Sequence, residues 1–437
     1  MQITRAFAFR DFRFLWISSL TASFAMQMQI VARGWLTYEM TDSAIALSMV
    51  MLSFMAPSVV FSLLGGVLAD RMRKKPIMLI SQALNTVLTG ALAWIIFTDQ
   101  VTFMHFIYFG LFNGTVLSLS MPARSTIIPE IVGRKVVVNA MALSSATFNL
   151  SRIMGPAIAG LLIGFLAAGD TASRQGVGIV FFVITGLYFL SVIGTALLRY
   201  EGKPVANADA QPVLSDITEG LRYILHDRLI MGILLMGLIP MTFGFAASFL
   251  LPVFNSEVIR GGPEQLGFLV TATGLGALAG SLTLAQIGDT RAKGRILVYS
   301  GYCWAIALIF FSMSTNFYLA MFFSLFTGLF GSVMGSMNMS MLQLVVPQYI
   351  RGRIMAINWM IHGLMPIGMV PIALIAEWWT IQHAIFISAI MVLVSVWLIR
   401  YFYSEVRKVG RTDDEEFIKN LQSTIKPKYS RQTELRN

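Results

Sequence analysis

Charge is what this sequence is shortest of. Of its 437 residues 12% are charged, against roughly 25% in soluble proteins, while 56% are apolar and the mean hydropathy is +0.71. A water-soluble globule is excluded. Cysteine is almost missing as well: Cys303 is the single thiol, so no intrachain disulfide and no cysteine-based zinc or iron–sulfur site can form. Neither GxxxxGKS nor GxxxxGKT occurs, which argues against an ATP-driven pump. HExxH and GxSxG are absent too, and no Cys/His pair stands at catalytic spacing, so an enzyme is the weaker reading. Neither a cofactor nor a metal is expected. No Asp or Glu lies deep in any hydrophobic stretch, which leaves ion coupling without its usual carboxylate.

What is present is hydrophobic length. About 20 mostly apolar residues cross a bilayer as a helix, and the chain supplies twelve such stretches. Span one covers 13–37, span two 45–69, span four 101–121, span seven 229–253 and span eleven 355–377. The start, MQITRAFAFRDFRFLW, lacks the short apolar core and cleavage site of a secretory signal, so the first helix is expected to be retained. An even number of spans puts both termini on one side. Sorting the 32 basic residues places 28 on that side, Arg174 and Arg260 opposite, and Arg33 and Arg152 within spans. The positive-inside rule makes the side of the termini cytoplasmic. The same bias accounts for the net charge of +10 without a nucleic-acid partner; the partner is the lipid bilayer.

Between the two groups of spans, residues 199–228 read as a polar linker followed by a short interfacial helix, with Leu214, Ile217, Leu221 and Ile224 on one face. Residues 404–437 read as a solvated cytoplasmic tail, with an acidic cluster at Asp413 to Glu416. The expected organisation is a six-helix bundle over 1–198, the linker over 199–228, a second six-helix bundle over 229–403, and the tail.

The bundles are repeats of each other. A shift of 218 aligns Gly110-Leu-Phe112 with Gly328-Leu-Phe330, Ser118 with Ser336 and Pro129 with Pro347, and a shift of 219 aligns Asp70 with Asp289. Two-bundle repeats are how many transporters rock about a site at the bilayer midplane.

Gly66-Val-Leu-Ala-Asp70-Arg71, followed by Arg73, Lys74 and Lys75, resembles the signature loop of the major facilitator superfamily, with a degenerate copy ending at Asp289 and Arg295. Trp35-Leu-Thr-Tyr-Glu39, Pro122-Ala-Arg124 with Pro129-Glu130 after span four, and Arg152-Ile-Met-Gly155-Pro156 with Gly160 are similar to the exporter branch that includes enterobactin exporters and other transmembrane secretion effectors. The resemblance covers the whole chain. It implies an all-α fold of twelve transmembrane helices in two bundles. Two departures stand out: Arg73 replaces the loop glycine, and span four ends without the usual carboxylate, for which Glu130 is the available substitute.

From the resemblance, Asp70, Arg71, Arg73, Asp289 and Arg295 are expected to form a conformational latch, Asp70 capping a neighbouring helix N-terminus in one state. Gly155, Pro156 and Gly160 are expected as an exporter-type hinge, with plain close packing as the alternative. Arg152 lies near the middle of span five, about 13 residues from either end, too deep to snorkel easily. It reads either as a cavity or gating cation that meets an anionic group of substrate, or as a hydrogen-bonding anchor to Asn149, Asn113 or backbone carbonyls. Gln27, Asn113, Asn149, Asn338 and Met337 are further cavity candidates, and the Met-rich span ten suits bulky apolar ligands or simply helix packing. Arg33 either snorkels outward or forms an external gate with Asp42, Glu377 or Glu39. His362 in span eleven is the candidate proton carrier, or else a packing histidine.

The repeat and the spans lead to the expectation of a secondary transporter of the bacterial inner membrane, monomeric and working by alternating access against a proton gradient; export, and an amphipathic drug or siderophore-like small molecule as substrate, are what the resemblance implies. The alternatives are an importer of a small metabolite and a membrane protein that transports nothing.

Overall fold

The computed structural model describes residues 5–133, 136–166, 174–202, 213–287, 292–347, 350, 354, 355, 357, 358, 360, 363 and 365–409. All regular structure among them is helical. The first half holds α1 (Arg10–Thr41), α2 (Ala44–Met55), α3 (Pro57–Arg71), α4 (Lys74–Phe97), α5 (Phe103–Val132), α6 (Val137–Leu166) and α7 (Arg174–Ala196). A connecting helix α8 (Val213–His226) leads to α9 (Arg228–Phe249), α10 (Leu251–Phe254), α11 (Pro263–Ile287), α12 (Lys293–Ser312), α13 (Phe317–Val345), α14 (Met365–Trp378) and α15 (Ile381–Phe402).

Eleven helices are long and apolar enough to cross a membrane among the described residues. The eleventh expected span is represented by α14 and the helical positions 354, 355, 357, 358, 360 and 363 ahead of it, consistent with twelve. Large apolar side chains such as Val87, Trp94 and Phe165 are exposed along the spans, a surface that only lipid can cover. Polar residues fix where helices begin. Ser43 caps α2 by accepting from Ala46 N at 3.1 Å, Asp227 caps α9, and Asn316 caps α13 by accepting from Tyr318 N at 2.8 Å.

Span two is apolar and helical from Ala44 across Pro57, and the joint between α2 and α3 is Ala56, whose own backbone is helical. One span differs from the sequence reading. Span four does not stop at residue 121. α5 runs through Pro122 and Pro129 to Val132, so Pro122, Arg124, Pro129 and Glu130 are helical and do not follow the helix as expected. Pro122 frees the carbonyl of Ser118, and α3 passes directly over it at Gly65, where a Cβ would stand 2.6 Å from Ser118 O.

Within each half the helices pack on one another, α1 on α6 and α7, α3 on α5, α4 on α7, α11 on α13, and α12 on α13 and α15. The halves meet through α6 against α11 and α2 against α14. The end carrying Arg10, the α3–α4 turn and the start of α9 is called proximal here, and the opposite end distal. In α8, Tyr223 and Ile224 are buried while Leu221 and Leu225 are exposed. Ile224 therefore faces the protein and parts company with Leu221; Leu214 and Ile217 have side chains outside the described set.

Candidate functional site

The distal ends of the two halves are sealed together. Tyr38, in the last turn of α1, donates its hydroxyl to Glu257 Oε1 at 3.1 Å, in the π-turn Asn255–Ile259 of the other half. Burial holds the Glu257 carboxyl above the usual carboxylate range, the Tyr38 bond works against that, and the nearby Asp42 charge adds to it. Beside this contact Ser43 donates to Glu377 of α14, and the same oxygen accepts from Ile45 N at 3.0 Å. Asp42 and Glu377 are exposed at this rim. Arg33 is elsewhere: it is 1% exposed, with Nη2 3.7 Å from Met51 Sδ and its guanidinium 4.9 Å from the Phe54 ring. No ion pair to Asp42 or Glu377 is present among the described residues. Sulfur and ring contacts offset part of the insertion cost of about 2.5 to 3.5 kcal/mol for a deep cation.

Below the seal α6 runs against α11. A Cβ on Gly160 would stand 2.4 Å from Pro263 O and 3.0 Å from Gly267 Cα, whereas one on Gly155 would meet Gln27 Cβ at 2.7 Å. Gly160 thus joins the halves and Gly155 joins α6 to α1, with Pro156 buried between them. Thr271 Oγ1 donates to Ile153 O across the halves at 3.0 Å. Arg152 is partly buried at this level, its carbonyl against Gly274 of α11. Its side chain makes no hydrogen bond or ion pair among the described residues.

The other polar candidates are mostly engaged. Asn113 Nδ2 donates to Asn85 Oδ1 at 2.5 Å, and Asn338 Nδ2 to Ile233 O at 2.7 Å, both inside their own halves. Met337 and Gln27 are buried and Asn149 is partly buried. His362 and Asp289 lie outside the described residues.

The residue that sequence reasoning assigned to a loop is Arg124. From within α5 its Nε donates to Ser19 Oγ at 3.3 Å, while Nη2 is buried with no acceptor. Tyr188 of α7 lies within electrostatic range of both Arg124 and Arg33, and its hydroxyl donates to Gln29 Oε1 at 3.2 Å. The burial of Ala123, Ile127, Ile128 and Val132 at helical spacing is the signal that places Arg124 in a helix.

At the proximal end, Asp70 stands in the last turn of α3, with its side chain outside the described set, and Arg71 is exposed. Arg73 pairs with Glu201. Lys74, 1% exposed, binds Glu130 Oε1 at 2.6 Å, and Glu130 also accepts from Tyr200 at 3.1 Å. Lys75 donates to Leu198 O at 2.6 Å, and Asp11 accepts from the amides of Arg199 and Tyr200. This belt ties the α3–α4 turn, the end of α5 and the exit from α7 together within one half. Arg295 is exposed in the first turn of α12.

Comparison with known proteins agrees with this architecture. The transmembrane secretion effector family matches residues 5–425. The multidrug efflux pump Tap of Mycolicibacterium fortuitum is 24% identical over 90% of this chain and 95% of its own. The enterobactin exporter EntS of Escherichia coli O81 is 27% identical over 67% of each chain. Among solved structures, that of the nucleoside transporter NupG superposes with a TM-score of 0.67 at 16% identity, covering 90% of this chain and 99% of that one. A chain built of two helical halves, matched over nearly its full length by one transporter family, belongs to the transmembrane secretion effectors of the major facilitator superfamily, and is a multi-pass membrane transporter of small molecules, not an enzyme.

Proposed function

We propose that the protein is a monomeric secondary transporter of the bacterial inner membrane that exports an amphipathic small molecule by alternating access, coupled to the proton gradient. Both termini then lie in the cytoplasm, as the placement of basic residues favours, and the distal end faces outward. The bundles over 1–198 and 229–403 are the rocking units, joined by the linker 199–228 and followed by the tail 404–437. The observation that carries the reading is the polar bridging of the halves at the distal end, Tyr38 with Glu257 and Ser43 with Glu377. Closure at that end suits a state that loads from the cytoplasm. In the reverse state the distal bonds break, and the latch around Asp70, Arg71, Arg73, Asp289 and Arg295 exchanges partners. Gly160 is the point on which α6 turns against α11, and His362 is the candidate for the coupling proton.

The relatives named for efflux and export support the direction. The test is a comparison of metabolites inside cells and in the medium between a deletion strain and its parent. Retention of a compound inside the deletion strain is expected, and its collapse-sensitive movement in vesicles identifies the gradient. Depletion of a compound from the deletion strain would refute export.

A further inference from the structure

Arg33, Arg124 and Tyr188 form a constellation that neither the rocking motion nor the distal seal uses. Four features set it apart. Arg33 Nε, Arg124 Nη2 and Gln29 Nε2 are buried donors without an acceptor. No carboxylate pairs with either arginine among the described residues. Gln29 and Arg33 are one turn apart and share a face of α1, and Tyr188, held by Gln29, is within electrostatic range of both cations. The repeat does not require the charges: the shift of 218 that relates the halves places Leu251 and Leu342 opposite Arg33 and Arg124, and Val370 opposite Arg152. The cations therefore belong to the first half alone, where a guanidinium with unfilled donors in an apolar interior calls for an anionic acceptor.

We propose that Arg124 and Arg33, with Gln29 and Tyr188 between them, form an anion-binding site that takes the acidic oxygen group of the exported molecule, a carboxylate or phenolate on an amphipathic body. The site has two levels. Arg124 reaches Ser19, and about 21 Å of α1 rise separates Ser19 from Arg33. Arg124 is the nearer to the proximal end, and Arg33 lies toward the distal seal. An acidic group entering from the proximal side meets Arg124 first. Opening of the distal end then uncovers Arg33, whose neighbour Gly34 lies against Pro252 of the other half. The same fork geometry that makes arginine a bidentate partner for carboxylates distinguishes this site from a general positive field. The substrate class rests on the export reading above, but the site is testable without transport.

The test uses purified full-length protein in phosphatidylcholine nanodiscs, with 2-naphthoate and its neutral isostere 2-naphthamide as probes, read by intrinsic tryptophan fluorescence and by melting temperature. The expected result is at least about tenfold tighter binding of the acid, with that preference lost in Arg124→Gln and reduced in Arg33→Gln, while naphthamide binding is unchanged. Arg33→Lys and Arg124→Lys keep the charge and part of the preference, which separates a binding role from a folding defect. Equal affinity for the two probes, no binding of either at millimolar concentration, or a preference that survives both glutamine variants overturns the proposal. Loss of the preference on adding phosphatidylglycerol assigns the site to a lipid headgroup and overturns its assignment to the exported molecule. If the export reading fails while this one stands, the acid binds selectively but no vesicle flux is found; in the reverse case flux persists with no selectivity for the acid.

Discussion

Removing the charge of Glu130 should cost more stability than removing the lysine it neutralises. Lys74 Nζ and Glu130 Oε1 are 2.6 Å apart, with side-chain exposures of 2% and 29%. At an effective dielectric constant of about 20, unit charges at that distance attract by about 6 kcal/mol before desolvation is counted. Breaking such a pair from one side typically costs about 3 to 5 kcal/mol where a buried charge loses its counter-charge, and less where, as at Lys74, other interactions remain. Glu130→Gln keeps a hydrogen-bonding oxygen, so the lower end, about 3 kcal/mol, applies. Lys74→Met removes the buried cation itself, keeps the stem that packs on Gly202, and leaves Glu130 partly hydrated and bonded to Tyr200. It should cost about 1 kcal/mol. The double variant should then resemble Lys74→Met alone, giving a coupling of about 3 kcal/mol between the positions. Melting curves in detergent, followed by size-exclusion fluorescence, should rank the proteins as wild type, then Lys74→Met level with the double variant, then Glu130→Gln. A Glu130→Gln protein as stable as wild type, or additive losses in the double variant, would refute the buried-pair argument.

Four further outcomes are expected. Asp227 caps α9 through the amides of Leu229 and Ile230, and burial raises its carboxyl above the usual range; the folded state therefore holds the proton more tightly, and stability falls as pH rises from the ordinary carboxylate range through the raised value. Asp227→Asn should flatten that dependence while keeping the cap, and Asp227→Ala should lose about 1 kcal/mol at all pH values, both read as melting temperature against pH. For Glu257, also raised chiefly by burial, ionisation beside Asp42 should loosen the distal seal as pH rises above the ordinary carboxylate range, so spin labels at Gln100 and Thr315, in the distal loops after α4 and α12, in a Cys303→Ser background should separate as pH rises, and Glu257→Gln should abolish the change. Asp70→Asn should insert normally, because Arg71, Arg73, Lys74 and Lys75 still fix topology, and should lose most vesicle transport; wild-type flux would remove Asp70 from the latch. Arg152→Leu should abolish transport without lowering the melting temperature if the residue meets the cavity; a leucine variant that melts early, beside a lysine variant that transports well, would make Arg152 an anchor.

Hydrophobic length made the spans legible, since a bilayer enforces a minimum that few soluble helices satisfy, and the shared offset of the Gly, Ser and Pro matches made the two halves legible. Proline marks the departure in span four. The span is read as ending at 121, yet α5 continues through Pro122, with Gly65 of α3 close over the freed carbonyl. Neighbouring helices decide such cases, and the neighbours are far away in sequence. The same dependence hid Arg124, whose meaning changes once α5 is extended, and Lys74, which composition presents as one more loop cation. Arg33 illustrates the limit from the other side: its distance from the rim was readable, but its retreat from Asp42 and Glu377 toward Met51 and Phe54 depends on how α2 packs.

Span two makes its contacts in two different places. Its outer part, α2, is bonded to the opposite half through Ser43 and Ile45 on Glu377, while its inner part, α3, lies on α5 at Gly65 within its own half. A single apolar stretch thus serves both the junction between the halves and the packing inside one of them.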